Sequence, residues 1–199
     1  PNAACLSERQ ISAIEKYVNN GGGLIATHET SLYDEKGERK KDFGLAKVIN
    51  AQFHSLNIVK DPWLNGYMKI VKDHPITKDL QGLPMPILDH LYVEPNEESG
   101  ILSKILYLPH NSYFSPARET KYPGILINTF RKGRVVFFPF AFGKFYRDFG
   151  IVECRKILEN AVRWSSRDGM PIKLEAPSSV TMYLFEQPNR QIIHLVNGT

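Results

Sequence analysis

Polar and apolar positions recur along the chain with two different periods, and the switches between them mark out its elements. Ser7 with Gln10 three residues on carries a capping-box signature, and Ile11, Ile14, Tyr17 and Val18 follow at helical spacing, which predicts a helix over about residues 7–20. Gly21-Gly22-Gly23 supply a left-handed cap and a tight turn, after which Leu24-Ile25-Ala26-Thr27 read as a buried strand. A polar loop over 33–42 precedes a short amphipathic helix carrying Phe43, Leu45, Val48 and Ile49. From Ala51 to about Met85 the periodicity is weak, except where Asp73 or His74 would cap a helix start with Pro75 in its first turn.

Two extended segments follow, near 89–93 and 101–108. The clearest hairpin is Gly124-Ile125-Leu126-Ile127-Asn128-Thr129-Phe130, a turn at Arg131-Lys132-Gly133, and an arm, Arg134-Val135-Val136-Phe137-Phe138, apolar enough for burial on both faces. That arm exits into residues 139–148. A long helix then sets Ile151, Val152, Cys154, Ile157, Leu158, Ala161, Val162 and Trp164 on one stripe, making Cys154 an inert core thiol. Residues 165–171 have the composition of a linker, and 180–185 and 191–196 read as two strands around Gln187-Pro188-Asn189-Arg190. Such a pair is not stable alone and must pack on the main domain or belong to a larger β structure.

The pattern draws attention to one place. In open α/β sheets ligands gather just past the carboxyl ends of strands, so His28, Glu29, Thr30 and Ser31 stand where such a fold keeps its site. The three glycines before the strand are not a phosphate-cradling loop, because those glycines follow a strand and open a helix, and here the order is reversed.

Composition narrows the classes without choosing a chemistry. The 199 residues allow one ordinary domain with a small appendage. The net charge of +4 is scattered, with Arg39-Lys40-Lys41 the one tight run and no interleaved aromatics, so nucleic acid is not an expected partner. No apolar run approaches the roughly 20 residues of a membrane span. The two cysteines, Cys5 and Cys154, suggest neither a disulfide framework nor a zinc site. The chain opens on Pro1 with loop-like residues and closes directly after a strand, which is expected of a fragment lacking N-terminal strands; compartment is left open.

Each chemistry on offer at the strand end is incomplete. Thr30 or Ser31 beside His28 is a poor nucleophile pair, since sequence neighbours seldom point at one another, and there is no Gly-x-Ser-x-Gly elbow. His28, Glu29 and Asp34 fit no helix-borne metal motif, and His54, His74, His90 and His110 are scattered singly, so neither metal nor cofactor is expected. Glu29 with Asp34 or Glu35 could be offered as a glycosidase carboxylate pair, but Asp34-Glu35-Lys36-Gly37 also reads as a solvated turn.

The stretch from Gly21 to Glu35 resembles the trimerisation-type domain of family 42 β-galactosidases and related glycoside hydrolases, itself similar to class I glutamine amidotransferases. Further likeness lies in Gly133-Arg134-Val135-Val136-Phe137-Phe138-Pro139-Phe140, in Gly143-Lys144-Phe145-Tyr146 and in Asn160-Ala161-Val162-Arg163-Trp164. The resemblance implies an α/β, flavodoxin-like three-layer domain over 1–168, with 169–199 as a C-terminal β extension or the start of a β-sandwich. Active amidotransferases carry Cys at the elbow, where this chain has His28 or Glu29, and His-Pro-Glu after a late strand, where it has Phe138-Pro139-Phe140. Glutaminase activity is therefore not expected.

The implied role is a non-catalytic module of a carbohydrate-active enzyme, in contact with its own copies, with a glycosidase domain and with carbohydrate. Tyr33, Asp34, Phe140, Phe142, Phe145, Tyr146 and Arg147 are the expected contact residues, aromatic and Arg side chains being favoured at interface cores. Ordinary packing under the last helix is an equal reading of the aromatic ones. The alternative is a hydrolase of sugar-linked substrates working through His28 and Glu29.

Overall fold

A computed structural model describes residues 2–56, 66–80, 82, 84–97, 100–107, 117–167, 169, 172–177 and 179–198. The chain divides into two compact units, Pro1–Asp168 and Gly169–Thr199. The first opens with helix α1 (Glu8–Asn19), held at its start by a complete capping box: Ser7 Oγ accepts from Gln10 N at 3.3 Å and Gln10 Oε1 accepts from Ser7 N at 2.9 Å. Strand β1 (Gly23–Thr27), helix α2 (Ala46–Ile49), β2 (Ala51–Leu56), β3 (Tyr67–Ile70) and a single 3-10 turn (Pro75–Thr77) follow. Then come β4 (Met85–Pro86), β5 (Leu91–Pro95), β6 (Ile101–Tyr107), β7 (Arg118–Phe130), β8 (Gly133–Phe138), α3 (Phe142–Phe149) and α4 (Val152–Ser165).

Six strands form one sheet in the order β1-β8-β7-β6-β3-β4, with β1 parallel to β8 and the other pairs antiparallel, while β2 and β5 form a separate antiparallel pair. Strand β8 shows why the layers stack as they do. Its side chains alternate, so Val135 and Phe137 join Ile11, Val18, Val48 and Ile49 of α1 and α2 in one core. Val136 and Phe138 join Phe142, Phe145, Cys154, Ile157 and Ala161 of α3 and α4 in the other. A strand with a parallel partner needs cover on both faces, and each large apolar side chain so buried contributes about 2–3 kcal/mol. This is the flavodoxin-like, amidotransferase-like three-layer arrangement expected of the chain. Cys154 is buried, and burial pushes its thiol up to about 11, as suits an inert packing residue; both cysteines are free thiols.

The three glycines are spacers. Gly21 adopts φ +109°, and a β-carbon on Gly23 would lie 2.5 Å from the Ser165 carbonyl oxygen at the end of α4. The β7–β8 turn approaches as closely, since a β-carbon on Gly133 would lie 2.2 Å from the Val18 carbonyl oxygen. The end of α1, the end of α4 and the hairpin turn thus meet backbone to backbone.

Three elements differ from the expectation. The weakly periodic region contains β2 and β3, both short, with β2 interrupted by a bulge between Phe53 and Ser55 that breaks its alternation. Strand β7 begins well before Gly124, and its internal Pro123 sits where the register with β6 shifts. Residues 142–149, read as an exit loop, form α3, whose signal is masked by aromatic crowding, an internal Gly143 and the absence of a side-chain cap at Ala141.

The second unit is a hairpin of β9 (Val180–Gln187) and β10 (Arg190–Asn197), paired from Gln187↔Arg190 to Val180↔Asn197. Leu184 and Ile193 with Met182 and Leu195 share one face, and Phe185 and Ile192 with Tyr183 share the other. Tyr183, Phe185, Ile193, Leu195 and Val196 are at least half exposed.

Candidate functional site

At the carboxyl ends of β1 and β8 four stretches of chain converge. The His28 N–H donates to the Phe138 carbonyl at 2.7 Å, which ties the residue after β1 to the end of β8. The approach to β5 lies alongside the exit from β8: Leu91 N–H donates to Pro139 O at 2.7 Å, Ala141 N–H donates to Asp89 O at 3.2 Å, and His90 bridges Phe140. Lys144 of α3 closes the group with an ion pair to Asp89 Oδ2 at 2.7 Å. None of these long-range pairings leaves a periodic signal, so Asp89, His90 and Lys144 are absent from the residues proposed by sequence.

His28 takes φ 51°, a left-handed conformation that costs a residue with a β-carbon about 1–2 kcal/mol. Of the two residues considered for the elbow, His28 therefore occupies the strained position. Its Nδ1 lies 3.6 Å from Glu29 Oε2, and Glu29 Oε1 accepts the Tyr33 hydroxyl at 3.0 Å. Burial draws the His28 pKa below its ordinary value; Glu29 and Asp89 oppose that fall and Lys144 adds to it. His90, 2% exposed, is pushed down to about 4, chiefly by burial, with His28 adding to the shift and Asp89 opposing it. Both imidazoles are neutral at pH 7, each offering one donor and one acceptor between two carboxylates and an ammonium.

The hydroxyls beside the elbow are occupied by structure. Thr30 Oγ1 donates to Thr27 O at 2.7 Å, and Ser31 Oγ accepts from Leu45 N at 3.0 Å. Tyr33 reaches the group through Glu29, and its phenol is pushed up first by burial and then by that hydrogen bond. Asp34 instead clamps its own loop, accepting from Glu38 N at 2.8 Å and Lys36 N at 2.9 Å; the Glu38 amide is the first cause holding its carboxyl below the usual range. The solvated-turn reading of that stretch is the one its geometry matches, and Asp34 is no partner for Glu29.

The aromatic candidates separate in the same way. Phe140, Phe142 and Phe145 are buried, with ring centroids 4.6 Å apart for Phe138–Phe142 and 5.4 Å for Phe140–Phe142, so these three pack the core and are not displayed to a partner. Phe142 and Phe145 lie three residues apart on α3 and join Phe140 in the core that contains the buried face of α4. Tyr146 is half-buried and Arg147 exposed, and the sequence reading missed their exposed neighbours Phe149 and Val152. His74 caps the 3-10 turn by accepting from Ile76 N at 3.2 Å, and its edge meets Trp164 at 5.1 Å. His110 lies outside the described residues. Among those residues no group of three or more His, Cys, Asp or Glu is arranged to hold a metal ion, and no helix is long and apolar enough to cross a membrane.

A three-layer α/β domain with a strained elbow at the end of its parallel strand pair defines an amidotransferase-like scaffold. The family model "ThuA: Trehalose utilisation" matches residues 2–165, and the chain belongs to that family. No curated protein matches it. Among solved structures it is similar to the cold-adapted β-galactosidase of Rahnella sp. R3 (TM-score 0.70, 15% identity, over 99% of this chain and 26% of that one). It is also similar to the β-galactosidase of Bacillus circulans sp. alkalophilus (0.71, 13%, 99% and 26%) and to α-L-fucosidase isoenzyme 2 of Paenibacillus thiaminolyticus (0.70, 16%, 98% and 29%). These likenesses establish the fold. The chain spans little more than a quarter of the length of each of the three.

Proposed function

We propose that this chain is a non-catalytic accessory module of a larger carbohydrate-active protein, a glycoside hydrolase of β-galactosidase type, contacting a glycosidase domain and further copies of itself. The observation that carries the reading is the coverage: nearly the whole chain matches one portion of glycosidase chains about four times its length. The elbow adds support, because His28 stands at the strained position and Phe138-Pro139-Phe140 where a base motif would be. Arg147, Phe149 and Val152, with the half-buried Tyr146, supply a surface suited to self-association, and the hairpin of residues 180–197 would open a β-sandwich. Sedimentation of the natural full-length polypeptide with and without this module tests the proposal. The expected result is a lower oligomer after deletion; an unchanged oligomer overturns the assembly role.

A second reading, hydrolysis of a sugar-linked substrate with His28 as base, draws support from the convergence of His28, Glu29, Asp89, His90 and Lys144. The Thr30 and Ser31 hydroxyls are engaged by the backbone, so on this reading the attacking group would be a water activated by His28 or Glu29.

A further inference from the structure

The sheet face under α4 runs on past its apolar core to a cleft at the other end of β8 from the elbow. Side chains of β8 alternate, so Arg134 projects on the same side as Val136 and Phe138, the side that α4 covers. It stands near the start of the strand, about 13 Å along it from Phe138 at the elbow end. On α4, Asn160, Arg163 and Trp164 fall on one face by helical spacing. Asn160 Nδ2 donates to the Ile76 carbonyl at 3.3 Å, which fixes the 3-10 turn, Pro75 included, against the helix. Pro75, Arg134, Asn160, Arg163 and Trp164 line a cleft of about 340 Å³, at the lower end of the roughly 300–1,000 Å³ that small-molecule sites take.

The charges at this cleft do not balance. The half-buried Arg134 guanidinium lies over the Trp164 ring, 5.1 Å from its centre, and its Nη1 donates to the Trp164 carbonyl at 2.9 Å. A guanidinium carries five N–H groups, and among the described residues Arg134 is in no ion pair. Arg163 at the rim is matched, since its Nε and Nη2 donate to Glu159 Oε1 at 3.1 and 2.9 Å. The His74 ring, whose centroid is 5.1 Å from that of Trp164, feels an excess of the same sign: its pKa is lowered first by burial and then by the positive charges of Lys72 and Arg134. A guanidinium with donors to spare, held over an indole, suits the planar fork of an oxyanion. One uncompensated positive charge calls for one negative charge, so a carboxylate fits better than a doubly charged phosphate ester. Pro75 and Trp164 offer an apolar wall to the rest of such a ligand.

We propose that this cleft binds a small organic carboxylate, its two oxygens taken by the Arg134 guanidinium beside Arg163 and its apolar body resting on Pro75 and Trp164. The site binds and does not transform: no bond in the ligand is made or broken there. It shares no residue with the elbow and does not depend on an assembly role, so either proposal can fail alone.

Nuclear magnetic resonance titration of the full chain at constant ionic strength provides the test, with sodium benzoate and cyclohexanecarboxylate as probes and benzyl alcohol and inorganic phosphate as controls. The signal followed is the Trp164 indole N–H, identified by its loss in Trp164→Phe. The expected result is a saturable shift with at least one carboxylate, with Kd on the order of 1 mM, and none with benzyl alcohol. Arg134→Met is expected to weaken binding about ten-fold or more, and the remote Tyr17→Ala to leave it unchanged. Because Arg134 also holds the end of α4, thermal unfolding of that variant separates loss of the site from loss of the fold. If it does not fold, Arg163→Gln decides: at the half-exposed rim it leaves Glu159 unmatched and is expected to weaken binding about three-fold or more. No saturable shift with either carboxylate at about 20 mM, or binding indifferent to the substitutions, overturns the proposal. Benzyl alcohol binding as well as benzoate, or phosphate binding more tightly than both carboxylates, also overturns it.

Discussion

The two ends of the β1–β8 pair are built to opposite specifications. At one end Gly23 and Gly133 let the backbones of α1, α4 and the hairpin turn touch, leaving no room for a side chain at either, and Gly21 supplies a positive φ. At the other, a strained His28 and a buried His90, both costly to hold, sit with Glu29 and the half-exposed Asp89–Lys144 pair. The first end maximises stability at the backbone contact itself. The second accepts strain and desolvation to keep polar groups together, the pattern expected where a fold meets a ligand or partner.

Substitutions should expose that division. The largest effect falls at the closed end: Gly133→Ala places a β-carbon against the Val18 and Gly22 carbonyls, which cannot withdraw, and is expected to cost about 3 kcal/mol in urea unfolding. A cost under about 0.5 kcal/mol would show that this end is slack.

The next effect is titration at the open end. His90 holds a pKa of about 4 in the folded protein, below its unfolded value of about 6.5. The native state therefore binds fewer protons between those values, so stability is fully present above about pH 6.5 and is lost as pH falls toward 4, by roughly 3 kcal/mol. His90→Gln should flatten this slope in thermal melts taken across that range. A slope unchanged by the substitution would place the acid sensitivity elsewhere.

The smallest effect has the opposite sign. His28→Gly relieves the left-handed conformation at φ 51° and is expected to change stability between zero and about +1 kcal/mol. Marked destabilisation would mean that His28 holds the elbow together and is not a strained display.

The same contrast explains what could be read in advance. The closed end is local: capping box, glycine run, strand and hairpin arms are all written within short windows, and α1, β1, β8 and α4 lie close to where periodicity puts them. The open end depends on pairing residues 88–91 with 139–141, separated by about fifty positions and joined mainly by backbone hydrogen bonds, which carry no side-chain signature. His28 and Glu29 were visible because they follow a strand; Asp89, His90 and Lys144 were not. Phe140, Phe142 and Phe145 admitted two equal readings in sequence, because an aromatic run has the same composition whether it packs a core or faces a partner.

The central claim is that the elbow has been kept for contact and not for catalysis. Its most direct test measures aryl-glycoside turnover and sedimentation of the natural full-length polypeptide carrying His28→Ala and Glu29→Ala together. The account predicts a kcat within about two-fold of the unsubstituted protein. Loss of turnover with assembly unchanged would contradict it and put a catalytic centre at His28.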